Sequence, residues 1–472
     1  MKVCFIQKEA FPYFGVMSLA GYIKQRGIDA FVLIANRERD LPAAVRNINP
    51  DLIAFSVLTT EHAWLESTAA QIRKIAPTTP IIVGGVHAIL YPEAVMDIPS
   101  IDLVCTGEGE EPLSAVCRVI ARTEQDYAGI PGIGFRKSGE VVFHQCRPLL
   151  NDLTGHYEDR ELYYARYPFL RRDGLKQFMS SRGCPYYCSF CFNSTLQALF
   201  LGQGRYLRKK SASHFIEEIK RVKRDSPMKA IFFADDLFTL DTSWLESFLP
   251  LYRREIGLPF MCTTRANLMN DHVAVLLKEA GCHTVSFGIE TGNERIRREV
   301  LRKDITDEQI AGCAQILKNN GIRIQTSNMF CLPDETLGDA FATVGMNIRI
   351  KADFSFSTIF LPFPATPLAD YCVEKGYLPR DFGFQHVPRS FLSHSIMNMA
   401  DREKIENIQR ISFFMIRYPW LYSLVKPVLT RFNVGRLASF LLVVGTFIRY
   451  KTERKISFLN TMTYLWRFRN SR

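Results

Sequence analysis

The sequence predicts an α/β protein in three parts: a doubly wound parallel sheet, a partial (β/α)6 barrel, and a helical carboxyl-terminal region. Three observations predict it. Over the first 125 residues, short apolar runs alternate strictly with longer amphipathic segments, as in a parallel sheet covered on both faces. From residue 177 the alternation resumes with a longer repeat and six strand-helix units, too few for a closed eightfold barrel. After about residue 380 it stops, and two apolar stretches with basic borders, 411–425 and 437–448, follow.

In the first part, residues 2–7, 30–34, 52–56, 80–83 and 103–105 read as buried strands, being apolar runs of parallel-sheet length bounded by turn residues. Helical patterns occupy 16–26, 41–48, 63–75 and 112–122. Open parallel sheets bind ligands beyond the carboxyl ends of their strands, here the loops 56–60, 84–87 and 106–112. A small hairpin is expected near 129–136, inside a connector. In the second part the expected strands are 177–180, 230–234, 260–264, 284–288, 322–329 and 354–360, and the helices 213–224, 242–255, 271–280, 307–319 and 337–350. The expected domains are therefore 1–125, a connector 126–176, a barrel 177–380 and a basic, apolar helical region 381–472.

With 472 residues and 47% apolar composition the chain can bury substantial cores. Its formal charge of +11 is concentrated at one end: residues 401–472 carry 14 Lys and Arg against 4 Asp and Glu. The rest is nearly neutral, which argues against a nucleic-acid groove across the body. Nine cysteines (4, 105, 117, 146, 262, 282, 313, 331 and 372) are scattered singly and read as reduced core residues. With no signal peptide in view, the expected compartment is the reducing cytoplasm.

Cys184, Cys188 and Cys191 are different, because they stand at C-x3-C-x2-C within Ser-Arg-Gly-Cys-Pro-Tyr-Tyr-Cys-Ser-Phe-Cys-Phe-Asn, residues 181–193. A structural zinc or a closed iron-sulfur centre takes four protein ligands, and three thiolates leave one iron open. A partial zinc knuckle is the alternative, but no second Cys pair or His pair lies downstream to complete it. The spacing resembles that of the radical S-adenosylmethionine enzymes, whose 4Fe-4S cluster binds the cofactor through its open iron. That resemblance implies that Phe190, the aromatic residue before the last cysteine, lies near the adenine. Further motifs follow in the family's order. Phe-Ala-Asp-Asp at 233–236 offers Asp235 and Asp236 to the methionine ammonium, although the pair can instead cap the next helix or bind a divalent ion. Arg265, in Thr-Thr-Arg, is suited to the methionine carboxylate or to a structural ion pair. Gly-Ile-Glu-Thr-Gly at 288–292 resembles the family's Gly-Ile-Glu-Ser-Gly and makes Glu290 a ribose or methionine contact. In the looser match at 329–336, Cys331 stands where glycine is usual. Pro-Phe-Pro-Ala-Thr-Pro-Leu, 362–368, resembles the segment that ends the family's barrel.

Gly84, Gly85, Gly107 and Gly109 let backbone approach a large flat ligand, unless they merely turn the chain. Together with Ser56, Thr60 and Glu108 they resemble the cobalamin-binding domain that precedes many of these barrels, here over residues 1–125. The loop 7–15 lacks the Asp-x-His-x-x-Gly of domains that ligate cobalt from below, so a protein imidazole is not expected at that position; His62 and His87 read as polar loop contacts. The resemblance covers residues 1 to about 380. It implies a 4Fe-4S cluster, S-adenosylmethionine and cobalamin as cofactors, with a flavodoxin or ferredoxin as electron donor. The implied activity is methylation of an unactivated carbon of a small-molecule or lipid-like substrate through a 5'-deoxyadenosyl radical. A radical oxidative cyclase or rearrangement enzyme with the same cofactors is the alternative. A tRNA methylthiotransferase fits poorly, since no second cluster spacing and no basic RNA-binding module is present, and a non-catalytic cobalamin sensor would not need the cofactor motifs. The tail 411–455 is expected either to cap the barrel or to lie on the inner face of a membrane, being too short in its apolar runs to span one.

Overall fold

The computed structural model describes residues 1–122, 126–137, 139–145, 148–388, 390–392 and 394–454. The chain forms two compact units, one of residues 1–185, 197–232 and 254–258, the other of 186–196, 233–253 and 259–472.

The first unit contains a seven-stranded sheet. Strands β1 (Lys2–Gln7), β2 (Asp29–Ile34), β3 (Leu52–Ser56), β4 (Ile81–Gly84) and β5 (Leu103–Cys105) pair in parallel in the order β2-β1-β3-β4-β5. The hairpin β6 (Ile133–Lys137) and β7 (Glu140–Phe143) then adds antiparallel to the β5 edge. That hairpin lies a few residues later than expected and extends the sheet. Alternate residues of β1 divide between two cores, because strand side chains point to opposite faces. Val3 and Phe5 pack with Val16, Met17 and Ile23 of α1 (Phe14–Lys24), while Cys4 and Ile6 share the other core with Leu65, Ala69 and Ile72. Those three belong to α3 (His62–Ile75), which follows α2 (Leu41–Ile48). Two short helices, α4 (Val86–Leu90) and α5 (Pro92–Met96), precede β5; they were not expected, and Pro92 separates them by starting the second. Then come α6 (Glu110–Ala121), α7 (Glu161–Tyr164) and α8 (Pro168–Arg172). The strand order reverses between β1 and β3, the point at which such sheets open a crevice at their carboxyl ends.

The half-barrel sheet runs β15-β14-β13-β12-β11-β8. Its strands are β8 (Leu175–Phe178), β11 (Ala230–Phe233), β12 (Phe260–Thr264), β13 (Cys282–Glu290), β14 (Arg323–Phe330) and β15 (Phe354–Ile359). Beside β8 a ribbon of β9 (Ser181–Arg182) and β10 (Arg208–Lys209) pairs antiparallel; it was not expected, since strands of two residues carry no periodicity. The helices are α9 (Phe192–Leu199), α10 (Ala212–Asp225), α11 (Thr242–Glu255), α12 (Asp271–Glu279), α13 (Asp307–Asn319), α14 (Leu337–Arg349) and α15 (Pro367–Glu374). Asn270, Thr306, Thr336 and Thr366 cap α12, α13, α14 and α15 by accepting from a backbone N–H three residues on, which fixes where each helix begins. Phe233, Phe238, Phe248, Tyr252 and Phe260 stack into an aromatic core behind β11 and β12.

Three helices end the described chain: α16 (Arg402–Arg417), α17 (Pro419–Arg431) and α18 (Gly435–Arg454). Ile405, Ile408, Ile411 and Met415 of α16 bury against Phe330, Phe341, Val344 and Ile359, so this helix caps α14 and β15. Among the described residues no helix is long and apolar enough to cross a membrane.

Candidate functional site

The cysteine loop begins at Gly183, whose φ is +91° and whose added Cβ would come within 2.5 Å of the Tyr206 carbonyl oxygen, so glycine is required there. Cys184, Cys188 and Cys191 are half-buried, and none of the eleven described cysteines forms a disulfide. A turn from the Cys191 N–H to the Cys188 carbonyl (3.1 Å) closes the second half of the loop. Ser189, between those two cysteines, is held three ways. Its N–H donates to the Leu301 carbonyl (2.9 Å), its Oγ donates to the Val300 carbonyl (2.7 Å), and its own carbonyl accepts from the Leu368 N–H (2.9 Å). Val300 ends a π-helical turn, Ile296–Val300, a wide turn of the kind common at functional sites. Thr195 Oγ1 donates to the Ala365 carbonyl (2.6 Å), so the segment 362–368 also braces the loop. The Phe190 ring packs against the apolar cluster that includes Ile296, Val300, Leu332, Phe360 and Leu368.

Charged groups collect on the carboxyl ends of β11, β12 and β13. Asp235 is buried, with its carbonyl accepting from Thr263 Oγ1 (2.6 Å). Asp236 is exposed and accepts from Asn193 Nδ2 (3.1 Å), which lies 3.7 Å from Cys191 Sγ. Neither aspartate begins α11, because Asp241 caps it by accepting from the Trp244 N–H; the capping alternative for the pair is therefore overturned. Arg265 is buried with its guanidinium 3.9 Å from the Tyr186 ring centre, and donates to Asn267 Oδ1 (3.0 Å) and to the Asp304 carbonyl (3.2 Å). Both acceptors are uncharged, and among the described residues Arg265 forms no ion pair and its Nε is buried with no partner. Glu290 has φ +66° and pairs with Lys303 Nζ at 2.7 Å. That pair passes directly over Gly288, where an added Cβ would meet Lys303 Nζ at 2.5 Å. Burial raises the thiol pKa of Cys188 and Cys191, and the charges of Lys303 and Arg265 pull Cys188 back toward the thiolate. Cys331 is buried at φ +60°, a conformation natural to glycine, with Sγ 4.0 Å from the Arg402 carbonyl.

At the carboxyl ends of β1, β3, β4 and β5 the loops interlock. Gly85 has φ +97°, and a Cβ there would approach Val57 O and N within 2.9 Å, whereas Gly84 has nothing nearer than 3.9 Å. Gly84 therefore presents open backbone. Ser56 and Thr60 are half-buried beside them, and His62 Nδ1 bonds His87 Nε2 at 2.8 Å. Burial, with His62 alongside, pushes His87 down to about 4, so the pair is a neutral loop contact at pH 7. In the loop after β1, Gln7 Nε2 donates to the carbonyls of Glu9 (2.6 Å) and Phe11 (2.7 Å), while the Tyr13 hydroxyl is buried with no partner among the described residues. In the loop 107–109, Gly109 lies under Leu19, and Glu108 is engaged by Arg208 (2.7 Å), Arg182 (3.0 Å) and the Leu150 N–H (2.9 Å).

The donor set fits a cluster. Each thiolate of a cubane binds a different iron, and three half-buried cysteines on one short loop supply the three thiolates while leaving one iron open. The open Gly84 backbone likewise fits a large polar cofactor at the first sheet. Sequence reasoning missed Ser189, Asn193, Lys303, Tyr13 and Tyr186. Only Ser189, Asn193 and Tyr186 carried a signal, through adjacency to the cysteines.

The sequence matches the radical SAM superfamily over residues 178–345 and the B12 binding domain over residues 8–117. It is 30% identical over 349 residues to an uncharacterized methyltransferase of Pyrococcus horikoshii, covering 72% of this chain and 73% of that one. It is 24% identical over 369 residues to the anaerobic magnesium-protoporphyrin IX monomethyl ester cyclase of Rubrivivax gelatinosus, covering 75% and 65%. The solved structure of the cobalamin-dependent S-adenosylmethionine radical enzyme OxsB, with aqua-cobalamin and S-adenosylmethionine bound, superposes with a TM-score of 0.69 at 14% identity, over 99% of this chain and 74% of that one. The chain belongs to the cobalamin-binding radical S-adenosylmethionine enzymes. Its cofactors are accordingly a 4Fe-4S cluster, S-adenosylmethionine and cobalamin.

Proposed function

We propose that this enzyme methylates an unactivated carbon of a small-molecule or lipid-like substrate. The observation that carries the reading is the 30% identity, over most of both chains, to a protein described as a methyltransferase. When bound, the cofactors supply the radical that activates the substrate and the methyl group it receives. The protein's part is binding and orientation. In this reading Cys184, Cys188 and Cys191 ligate the cluster and leave one iron open. Phe190 borders the adenine, and Asp235 and Asp236 accept from the methionine ammonium. Arg265, buried and bonded among the described residues to uncharged acceptors, takes the methionine carboxylate. Glu290, fixed by Lys303, contacts the ribose. Ser56, Thr60, Gly84, Gly85, Gly107 and Gly109 line the cobalamin, toward which Glu108 offers backbone while its carboxylate holds Arg208.

The proposed domain limits remain 1–125, 126–176, 177–380 and 381–472. A flavodoxin or ferredoxin serves as reductant in the cytoplasm, and residues 411–455 make a peripheral membrane contact. Anaerobically reconstituted protein is expected to hold about three to four irons and to form 5'-deoxyadenosine, and Cys188→Ala to abolish both. Continued cleavage in the variant overturns the ligand assignment. Product mass tests the rest: a gain of one methylene supports methylation, and loss of hydrogens assigns an oxidative cyclase instead.

A further inference from the structure

We propose that α17 and α18 form a docking surface for an anionic lipid bilayer, lying in its interface with α16 as the boundary between membrane-facing and barrel-facing chain. This rests on the peripheral contact in the reading above and gives it a surface and a lipid chemistry. Two adjoining faces of α17 are apolar, and one of them is used internally. Tyr422, Val425 and Leu429 point inward, into the core under α16. On the adjoining face Trp420, Leu424 and Val428 recur every four residues and face solvent, with Trp420 64% and Leu424 63% exposed. Phe432 continues the stripe past the helix end. On α18, Ala438 is buried, while Leu437, Phe440 and Val443 recur every three residues on the outer face, Phe440 being 64% exposed.

Large exposed apolar residues grouped in a stripe, here one on each of two consecutive helices packed on α16, mark an interaction surface, whereas single ones are ordinary. The charge around this set selects the partner. From residue 411 to the end the sequence holds eleven Lys and Arg and one acidic residue, Glu453. Arg431 lies on α17 in line with the exposed stripe and Arg417 precedes the helix, whereas Lys426 turns toward the Phe341 and Tyr422 rings (5.3 and 5.5 Å). A two-fold contact with a second copy would set this excess against itself, because an isologous interface apposes the same patch. An anionic bilayer matches both features: its interface takes up the tryptophan and phenylalanine rings, and its headgroups take up the basic side chains. No described helix is long and apolar enough to cross, so the helices lie on the membrane.

The test is flotation of the full chain with vesicles of phosphatidylcholine alone and of equimolar phosphatidylcholine and phosphatidylglycerol, at low and high salt. Flotation is expected with the anionic vesicles, weakened by salt. The triple variant Trp420→Glu, Leu424→Glu, Phe440→Glu is expected to lose affinity at least about tenfold, equivalent to one well-buried apolar side chain, while still forming 5'-deoxyadenosine. Three results overturn the proposal: no flotation with either vesicle; a dimer in light scattering that the triple variant dissolves; or flotation that survives the triple variant and is lost on removing residues 455–472. Because flotation needs no turnover, failure here is separable from failure of the methylation reading.

Discussion

Glu335 shows how much a single enclosed carboxyl can do in this molecule. It is buried, and its Oε2 accepts from the Leu332 N–H at 3.1 Å. Burial pushes its pKa up to about 8 against that bond and one from Cys331, with the Asp339 charge adding to the rise. The folded state therefore keeps a proton that the unfolded chain, at 4.5, has released. The stability this contributes is full below about pH 4.5, declines as pH rises toward 8, and changes no further above that. Glu335→Gln is expected to flatten the decline, so that its Tm exceeds the wild-type value by several degrees at pH 9 and converges with it at pH 5. Parallel curves would show the proton to be elsewhere. The sequence marked this loop as a family motif without disclosing the buried acid, because burial depends on strands far away along the chain. The same holds for Lys303, thirteen residues from Glu290 and joined to it only by the π turn between them. The cysteine motif could be picked out in the sequence because a ligand spacing is a local property.

At the scale of elements, the parallel strands of both sheets were readable from apolar runs, and the ribbon of β9 and β10 was not. Two residues per strand carry no periodicity, yet this ribbon supplies Arg182, which stands two residues before Cys184. Its guanidinium donates to Glu110 Oε1 (2.5 Å), Ser18 Oγ (2.8 Å) and Glu108 Oε1 (3.0 Å). Burial alone would raise the Glu110 carboxyl, but the Arg182 charge and its hydrogen bond, with one from Ser18, carry it down to about 2. The loop after β5 and the strand before the cysteine loop are thus locked by charge. Arg182→Met leaves Glu110 buried and unpaired and is expected to cost about 3 kcal/mol, read as a lower urea midpoint. Adding Glu110→Leu removes the orphaned charge and is expected to restore most of the loss; no recovery would assign the defect to packing.

For the molecule as a whole, the order of parts was legible from one end to the other, while which helix of the tail packs on the barrel was not. The sequence posed cap and membrane contact as alternatives for one apolar, basic region; the structure divides the region by helix, giving the capping role to α16. A chain ending at residue 401 would bare Phe330, Phe341, Val344 and Ile359 together, and is expected to be insoluble on expression. One ending at residue 432 keeps α16 and α17 and is expected to stay soluble; equal solubility of the two would show that α16 is dispensable to the core.

The triple anchoring of Ser189 has a consequence for synthesis. Its carbonyl waits for the Leu368 N–H, which leaves the ribosome about 180 residues later, on the order of 9 to 36 s at typical elongation rates. During that interval the three thiols are already outside while their brace is still being made. Whatever delivers iron and sulfide to this protein must either shield a loose thiol loop on the nascent chain or arrive after the final strand and α15 have closed over it.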